Sequence, residues 1–468
     1  MKHTALLVAS LLYLSLTASI ATAADAPPNV IYFLIDDLGR NDCGFMGGQE
    51  IKTPHIDKLA ATGATLDAYY VQPVCSPTRA ALLTGRYPMR HGLQSGVVKP
   101  WAQHGLPLDE RTIADDLKAA GYATGIFGKW HLGHAAKEQL PMQRGFTRQY
   151  GHYNGALDYF THDRDGGFDW HSDGQTCRDE GYSTALVGEK AAEFVAQNAG
   201  KRPFFAYVPF NAVHSPYQPP KGGVDAYPQL KGQRRNYAAM LTATDAAIGE
   251  VIAAVDKAGV RDNTIFIFSS DNGGPSPGKI TDNGKYRGGK GGLYEGGVRV
   301  AAFAVWPGHI KPGSTITESL HAVDWRPTLD KLCGATPTSD QPLDGLDASA
   351  TLADGAPSPH DAILLNTTPT EGAIRAGAWK LIARANAVQP RAKGNKKKQA
   401  QYLGREATEL FNLNDDPYEQ KNLAAEHPER VAELRKLLLE FSDEAVPPQA
   451  MPRPAAYNAP AIWGDFGG

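Results

Sequence analysis

Basic residues are not in excess in this 468-residue chain, and cysteines are few. Lysine and arginine (47) nearly balance aspartate and glutamate (50), so the formal net charge is −3. Without a global positive field, the chain does not hold nucleic acid or an acidic membrane by bulk electrostatics. Four cysteines are too few for a disulfide scaffold at this length. Cys43, Cys177 and Cys333 leave room for one disulfide and one buried thiol, and the sequence does not assign the pair.

Long apolar runs are confined to the N-terminus. Lys2 and His3 precede an apolar stretch over residues 5–20, and small residues follow at the positions that a signal peptidase reads. A bilayer span needs about 20 apolar residues, so this stretch is short for an anchor. We therefore predict a cleavable export signal over residues 1–23 and an exported protein, periplasmic or secreted, without membrane insertion after cleavage. An uncleaved anchor is the alternative.

The rest of the composition is that of a folded protein, 42% hydrophobic and 21% charged. Apolar runs that resemble buried strands alternate with helical patterns, which is typical of a mainly parallel sheet with helices on both faces. The predicted strands are Asn29–Ile35, residues 123–127, Phe204–Phe210, residues 264–269 and residues 298–305. The predicted helices include residues 112–120 and 236–257. Ligands of such sheets bind beyond the carboxyl ends of the strands, so the residues after each run matter most.

The character of the chain changes near residue 350, where Pro- and Gly-rich connections begin. Two antiparallel strands are predicted at residues 362–365 and 374–382, and an amphipathic helix follows. The apolar stripe of that helix consists of Val431, Leu434, Leu438 and Phe441. These patterns indicate a small α+β domain packed on the larger α/β domain.

We therefore expect a large domain over residues 24–349, a small subdomain over residues 350–445 and an extended tail over residues 446–468. The basic stretch at residues 391–398 (RAKGNKKK) is interpreted as a solvated loop, and a substrate-binding rim is the alternative.

Pairs of side chains with oxygen ligand atoms follow two of the predicted strands. Asp36 and Asp37 come directly after Asn29–Ile35, and Asp271 and Asn272 follow the fourth strand. Oxygen ligands without sulfur or imidazole suit Ca²⁺ or Mg²⁺ rather than Zn²⁺. An isolated Asp-Asp pair is more often a turn or a helix cap. Here the apolar run places the pair at the ligand edge of the sheet, so we predict a metal site.

The segment CSPTRAALLTGR carries the signals of a helix start and a helix stop. Ser76 is a candidate N-cap, Pro77 suits the first helical position, and Gly85 suits the end. Cys75 would then face the positive end of the helix dipole, with Arg79 one turn along. This setting stabilises a negative charge on the side chain at position 75. A buried structural cysteine is the alternative.

Cationic and histidine side chains follow the remaining strands. Lys129 and His131 lie in GKWHLG, His214 lies in AVHSP, and Lys290 lies in RGGKGG. Each one alone is usually a satisfied core or surface residue. Together they supply hydrogen-bond donors and positive charge around the predicted metal, which a multi-oxygen anion and its developing charge require. The set therefore predicts an oxyanion substrate.

These motifs resemble those of the sulfatase family. The family signature Cys-x-Pro-Ser/Thr-Arg with a following Leu-Thr-Gly-Arg matches residues 75–86, and the Asp pair, GKWHLG, SDNGG and residues 287–297 also match in order. The resemblance covers nearly the whole mature chain. Within the family, residues 72–74, 105–110 and 321–329 are most similar to the arylsulfatase B branch, the N-acetylgalactosamine 4-sulfatases.

The resemblance implies an alkaline phosphatase-like fold, in which helices sandwich a large mixed sheet, and a formylglycine-dependent sulfuric ester hydrolase. Cys75 would be oxidised to Cα-formylglycine by a separate maturation enzyme, and Arg79 would hold the resulting nucleophile. One Ca²⁺ per chain would be bound by Asp36, Asp37, Asp271, Asn272 and the residue formed from Cys75.

The resemblance and the charges also imply roles for the other residues. Asp271 would accept a proton as a hydroxyl of the hydrated formylglycine attacks sulfur, and His214 or Lys290 would protonate the leaving oxygen. Lys129 and Lys290 would balance the charge on the sulfuryl oxygens. His131 would take the proton of the second hydroxyl, so that sulfate is eliminated and the aldehyde returns.

The expected substrate is a sulfated carbohydrate, with 4-sulfated N-acetylgalactosamine or galactose units of a glycosaminoglycan or algal galactan attacked in an exo-acting pocket. Trp101, Trp130 and Trp170 with His171 are expected to border the pocket, and burial in the core is the alternative. Two other functions are a phosphate ester hydrolase of the same superfamily and a non-catalytic sulfoglycan-binding protein. Asn272 argues against the former, because a second-metal site would place a histidine there.

Overall fold

The structure, a computed structural model, describes residues 26–365, 372–383 and 408–466. The predicted export signal over residues 1–23 and the basic stretch over residues 391–398 lie outside the described residues. The strands within them are β1 (Asn29–Ile35), β2 (Ala64–Leu66), β3 (Tyr69–Tyr70), β4 (Ala123–Lys129), β5 (Arg148–His152), β6 (Asp163–Arg164), β7 (Gly167–Phe168), β8 (His171–Ser172), β9 (Gln175–Thr176), β10 (Phe204–Phe210), β11 (Thr264–Ser270), β12 (Ala302–Val305), β13 (Ser314–Ile316), β14 (Leu320–His321), β15 (Ile363–Leu365), β16 (Gly372–Ala376), β17 (Trp379–Ala383) and β18 (Thr408–Asn412). The α-helices within them are α1 (Pro54–Ala60), α2 (Cys75–Thr84), α3 (Ile113–Ala119), α4 (Ser183–Asn198), α5 (Gly232–Lys257), α6 (Glu295–Val298), α7 (Trp325–Cys333), α8 (Ser349–Asp354) and α9 (Pro428–Asp443).

Ten strands form one mixed sheet in the order β13-β2-β12-β11-β1-β10-β4-β5-β8-β9. The consecutive strands β11, β1, β10, β4 and β5 are parallel to one another, and β12 is antiparallel to β11. The carboxyl ends of these five parallel strands therefore meet at a single edge of the sheet, where ligands bind in such folds.

Helices cover both faces of this sheet, as the apolar runs predicted. In β1 all seven residues are buried, and its side chains alternate between two cores. Val30 and Leu34 pack in the layer that contains α2, α3 and α7, whereas Ile31 and Phe33 pack in the layer that contains α1, α4 and α5. The predicted α/β fold class is confirmed.

Two predicted strands differ from the structure. Residues 298–305 do not form one strand, because Val298 ends the short helix α6 and only Ala302–Val305 pairs in the sheet. An apolar run by itself does not distinguish a buried turn of helix from a strand. Residues 374–382 form a hairpin of β16 and β17 rather than one strand, because Gly377 adopts φ 57° in the turn between them.

Four antiparallel strands, β15-β16-β17-β18, form the C-terminal sheet. Leu434 and Leu438 of α9 are buried against one face of this sheet, where they meet Leu381. On the other face, Ile382 packs with Tyr70 of the large unit. The C-terminal sheet is thus held between its own helix and the body that carries the large sheet.

The tail over residues 446–466 contains no helix or strand, and it runs back over the large unit. The N–H groups of Val446 and Gln449 donate to carbonyls of residues 89 and 92, and Trp463 is buried.

The four cysteines all lie in the described residues and form no disulfide. The possible disulfide among Cys43, Cys177 and Cys333 is therefore not formed. Among the described helices, only α5 is long and apolar enough to cross a membrane. Met240, Ile248 and Val251 of α5 are buried in the core instead.

Candidate active site

The residues predicted for the site lie at the carboxyl edge of the parallel strands. Asp36 and Asp37 follow β1, Asp271 and Asn272 follow β11, and Lys129 ends β4. These five residues are 0–3% exposed, so a cluster of charges is buried at one point. Such a cluster is stable only if its charges are paired or bound to a ligand.

Helix α2 brings Cys75 to the same point, but not with the predicted cap. The helix begins at Cys75, and Val74 is the N-cap without a side-chain hydrogen bond. The hydroxyl of Ser76 is used elsewhere, because it donates to the carbonyl of His131 (2.9 Å) and accepts the N–H of Val98 (3.0 Å). The N-cap prediction for Ser76 is therefore wrong, although Cys75 still occupies the amino end of the helix.

Arg79, one turn along α2, is fully buried. Its Nη2 lies 3.1 Å from Asp36 Oδ2 and 2.8 Å from Asp271 Oδ2, and its Nη1 donates to the carbonyl of Lys129 at 2.9 Å. The guanidinium thus fixes the carboxylates that follow β1 and β11 relative to the backbone at the end of β4. Arg79 therefore hydrogen-bonds to residues around Cys75, the predicted nucleophile.

The oxygen atoms of this cluster fit a bound cation. Ligand atoms of Asp36, Cys75 and Asp271 lie within 4.8 Å of one another. Asn272 donates its amide N–H to Asp37 Oδ1 at 2.8 Å. Oδ1 of Asp36 and Oδ1 of Asn272 are buried without a hydrogen-bond partner. A buried acceptor without a partner is costly, and coordination to a cation is one way to satisfy such an oxygen.

Three positive or polar side chains surround the carboxylates. Lys129 Nζ contacts Asp36 Oδ2, Lys290 Nζ lies 2.6 Å from Asp37 Oδ1, and His214 Nε2 lies 3.7 Å from Asp37 Oδ2. The side chain of Lys129 is 0% exposed, whereas those of Lys290 and His214 are 21% and 18% exposed. Lys290 and His214 therefore lie on the solvent-exposed side of the site, which we call its open side.

His131 is buried with one ring nitrogen engaged and the other free of hydrogen bonds. Nε2 lies 3.0 Å from the carbonyl of Val98, and a carbonyl only accepts, so Nε2 carries the proton. Nδ1 keeps its lone pair and is buried without a partner. Burial lowers the pKa of His131, and the charges of Lys129 and Arg79 add to this effect. These effects favour the neutral ring, in which the Nδ1 lone pair is not used in a hydrogen bond.

The backbone also holds two site residues in an unusual conformation. Asp37 and His131 have φ values of 61° and 59°, in the left-handed region that costs non-glycine residues about 1–3 kcal/mol and recurs at functional sites. Such a conformation persists only where the surrounding contacts impose it.

The surroundings strongly shift the pKa values of the carboxyl groups of Asp36 and Asp271. Burial alone would raise the pKa of Asp36, but the charges of Lys129, His214 and Arg79 hold it below its usual range. Burial and the neighbouring Asp36 raise the pKa of Asp271, and Arg79 offsets this only in part.

Burial raises the pKa of the Cys75 thiol, although the positive charges of Lys129 and Lys290 oppose this shift. That the amino end of α2 favours a negative charge at position 75 stays a prediction, since burial opposes such a charge on the thiol. A raised pKa leaves less of a thiol in the thiolate form, which is the nucleophilic form.

Behind the site lies a buried polar layer that the sequence did not predict. Asp169 accepts the backbone N–H groups of Tyr153 and Asn154, both at 2.9 Å. The carbonyl of Tyr153 in turn accepts the N–H of His131 at 3.0 Å. A Cβ on Gly155 would lie 2.3 Å from His131 Nε2, so this loop fits closely against the histidine. Because β5 is not an apolar run, no sequence signal marked the loop.

Two of the three tryptophans lie in the core, and the expectation that Trp101 borders the pocket stays a prediction. Trp130 and Trp170 are 1% and 0% exposed, and Trp101 donates its indole N–H to the carbonyl of Met451 in the tail at 2.9 Å. His171 is also buried, 3.2 Å from Asp169. Trp130, Trp170 and His171 therefore belong to the core, and the expectation that they face a sugar is wrong.

Comparison with known proteins gives a consistent result. The family model described as Sulfatase matches residues 28–335. The chain is 36% identical to arylsulfatase J of Mus musculus over 95% of this chain and 81% of that protein. It is 33% identical to N-acetylgalactosamine-6-sulfatase of Mus musculus, over 74% of this chain and 70% of that protein. The crystal structure of Ps i-CgsB in complex with k-i-k-neocarrahexaose superposes with a TM-score of 0.80 at 30% identity, over 90% of this chain and 94% of that chain.

Proposed function

This chain belongs to the sulfatase family and hydrolyses sulfate esters, and on that premise we propose that it desulfates a carbohydrate by means of a formylglycine made from Cys75. One observation carries this proposal. Cys75 stands at the amino end of α2, with its sulfur within 4.8 Å of carboxylate oxygens of Asp36 and Asp271. The position suits a hard nucleophilic oxygen beside a cation, and it does not suit a thiolate.

The cation that the proposal requires is Ca²⁺, held by Asp36, Asp37, Asp271, Asn272 and the modified residue 75. Carboxylate and amide oxygens are the ligands that Ca²⁺ takes, and the two buried oxygens without partners would be satisfied by it. When bound, the cation offsets the carboxylate charges and supplies Lewis acidity to the reacting oxygens.

The nucleophile depends on a modification of the chain. A separate maturation enzyme is the proposed partner that oxidises Cys75 to formylglycine, and the hydrated aldehyde supplies the attacking oxygen. Asp271 is the proposed acceptor of its proton. Lys129 lies at the closed side of the cluster and Lys290 at the open side, so that they stabilise the sulfuryl oxygens from two directions.

Two proton transfers complete the proposed reaction. Either His214 or Lys290, the residues on the open side, protonates the leaving oxygen of the sugar. His131 accepts the proton of the second hydroxyl through Nδ1, which has no other hydrogen-bond partner. Sulfate then leaves and the aldehyde is restored, so that the enzyme turns over more than once.

The names of two relatives support a sulfated sugar as substrate. One relative is an N-acetylgalactosamine-6-sulfatase, and another was solved with neocarrahexaose. We propose 4-sulfated N-acetylgalactosamine or galactose units as substrate, because three segments resemble the arylsulfatase B branch. Exo-action and export to the periplasm or medium are part of the same proposal.

A phosphate ester hydrolase is less well supported. Such enzymes commonly use two metals about 3.5–4 Å apart. In this chain Asp271 is followed by Asn272, an amide, where a second-metal site would place a histidine.

The test is a substrate panel with a matched inactive variant. Matured protein is incubated with 4-sulfated and 6-sulfated oligosaccharides and with the corresponding phosphate esters, and released sulfate or phosphate is quantified. We expect catalytic release from 4-sulfated sugars and none with Cys75→Ala. Release of phosphate in preference to sulfate, or sulfate release that persists in Cys75→Ala, would refute the proposal.

A further inference from the structure

The loop that carries Lys290 has no secondary structure of its own. Residues 282–294 contain no helix or strand, yet Lys290 Nζ lies 2.6 Å from Asp37 Oδ1. Ordering a glycine-rich segment costs backbone entropy at every residue. Contacts from outside the loop must therefore hold the lysine in place.

Helix α6, which follows the loop directly, makes those contacts through the backbone. The N–H of Gly296 donates to the carbonyl of Arg287 at 2.8 Å, and a Cβ on Gly296 would lie 2.5 Å from the carbonyl oxygen of Gly288. On its far side, the loop is held by the N–H of Gly291, which donates to the carbonyl of Pro73 at 2.7 Å. Because no side chain separates α6 from the loop, the position of the helix sets the position of the loop.

A buried ion triad fixes the first residue of α6 to the C-terminal sheet. Lys380 of β17 lies with Nζ 2.9 Å from Glu295 Oε1 and 2.8 Å from Glu419 Oε1, and all three side chains are 0% exposed. Glu419 Oε2 also accepts the N–H of Glu295 at 2.7 Å, and the carbonyl of Glu419 accepts Nη1 of Arg287 at 2.9 Å. The triad thus contacts both α6 and the loop.

We propose that Lys380 is a positioning residue for Lys290, and that the triad of Glu295, Lys380 and Glu419 clamps the loop onto the site. Buried ion groups add little net stability over apolar replacements, but they fix geometry through directed contacts. This inference rests on the proposed function, which gives Lys290 its role at the sulfate group. It also gives the C-terminal sheet a part in the reaction.

The first experiment measures the loop directly by amide hydrogen exchange in the full chain. In Lys380→Met, we expect the rate of exchange in peptides over residues 285–297 to rise roughly 10-fold or more. The rate of exchange in α4 should stay unchanged. Arg90→Met is the matched control, because Arg90 lies 2.6 Å from Asp344 and contacts Glu444 just after α9. Arg90→Met loosens the C-terminal region at another point and should leave the exchange rate of the loop peptides unchanged. Equal exchange in parent and Lys380→Met, or an equal rise in both variants, would overturn the clamp.

The second experiment is a double-mutant cycle with 4-nitrophenyl sulfate, using preparations matched for formylglycine content. Lys380→Met should lower kcat/KM roughly 10- to 100-fold, as expected of a misplacement near 1 Å. In a Lys290→Ala background it should cause no further loss, because it acts through Lys290. Additive losses would show a merely structural role and overturn the proposal.

If Lys380→Met does not fold, Glu419→Gln replaces it, because this change removes a charge from the triad and keeps the shape of the side chain. The same results in hydrogen exchange and in the double-mutant cycle then support or overturn the proposal. The two proposals fail in different ways. A parent protein that contains formylglycine and releases no sulfate contradicts the proposed function, and hydrogen exchange still decides whether the clamp exists.

Discussion

Replacement of Gly155 by alanine tests the role of His131 without touching a charged residue. The added Cβ would lie 2.3 Å from His131 Nε2, whereas ordinary contacts begin at 3.4 Å. The ring must therefore move by about 1 Å, which breaks its hydrogen bond to the carbonyl of Val98. A misplacement of this size costs up to about 10²-fold in rate. The lost hydrogen bond adds a desolvation cost of about 1–3 kcal/mol.

The proposed role predicts which step is slowed. His131 acts after the first transfer, when sulfate leaves residue 75, so the first turnover of Gly155→Ala should proceed and the second should stall. Rapid mixing with 4-nitrophenyl sulfate should show a burst of one nitrophenol per formylglycine, followed by a steady rate lowered roughly 10²-fold. Gly223→Ala is the control, since its nearest contact is 3.2 Å, to the side chain of Pro220. A proportional loss of burst and steady rate, or no loss at all, would refute this role.

Three further predictions concern the metal, the nucleophile and stability. Asp37→Ala should abolish Ca²⁺ binding in calorimetry as well as activity, and full turnover by the chelator-treated variant would contradict the metal site. Cys75→Ser should stay folded, within about 2 kcal/mol of the parent in denaturant unfolding, and lack multiple turnover; a variant that turns over like the parent would exclude formylglycine. Burial and the nearby Asp116 raise the pKa of Asp330 to about 7, so the folded state binds the extra proton and stability should fall as pH rises from about 4 to about 7. Asp330→Asn should flatten that dependence in thermal unfolding scans, and an unchanged slope would show that another group is responsible.

The sequence predicted the parts of the fold that depend on local patterns. The all-apolar run of β1 is buried along its whole length, and the Asp pair after it lies at the ligand edge because parallel strands end together. Gly85 ends α2 in the left-handed conformation, with φ 67°, as its position after the helix pattern indicated. In each case, the residues of one continuous segment were enough to predict its structure.

Features that depend on distant segments could not be predicted. Ser76 looked like an N-cap, but its hydroxyl bonds to the loop after β4, 55 residues away in sequence. The triad joins Glu295 to Lys380, which lies 85 positions further along the chain, and to Glu419, which lies 124 positions further. Trp130 and Trp170 were ambiguous because an aromatic side chain suits either a sugar site or a core, and only packing decides between them.

The most direct test of the account compares turnover with the state of residue 75 in one set of preparations. Protein produced with different amounts of maturation enzyme is digested, and the fraction of formylglycine at position 75 is measured by mass spectrometry beside the rate of sulfate release. We predict that the rate rises in proportion to that fraction and extrapolates to zero when all of residue 75 is cysteine. A rate that is independent of the fraction, or substantial release by fully unmodified Cys75 protein, would contradict the account.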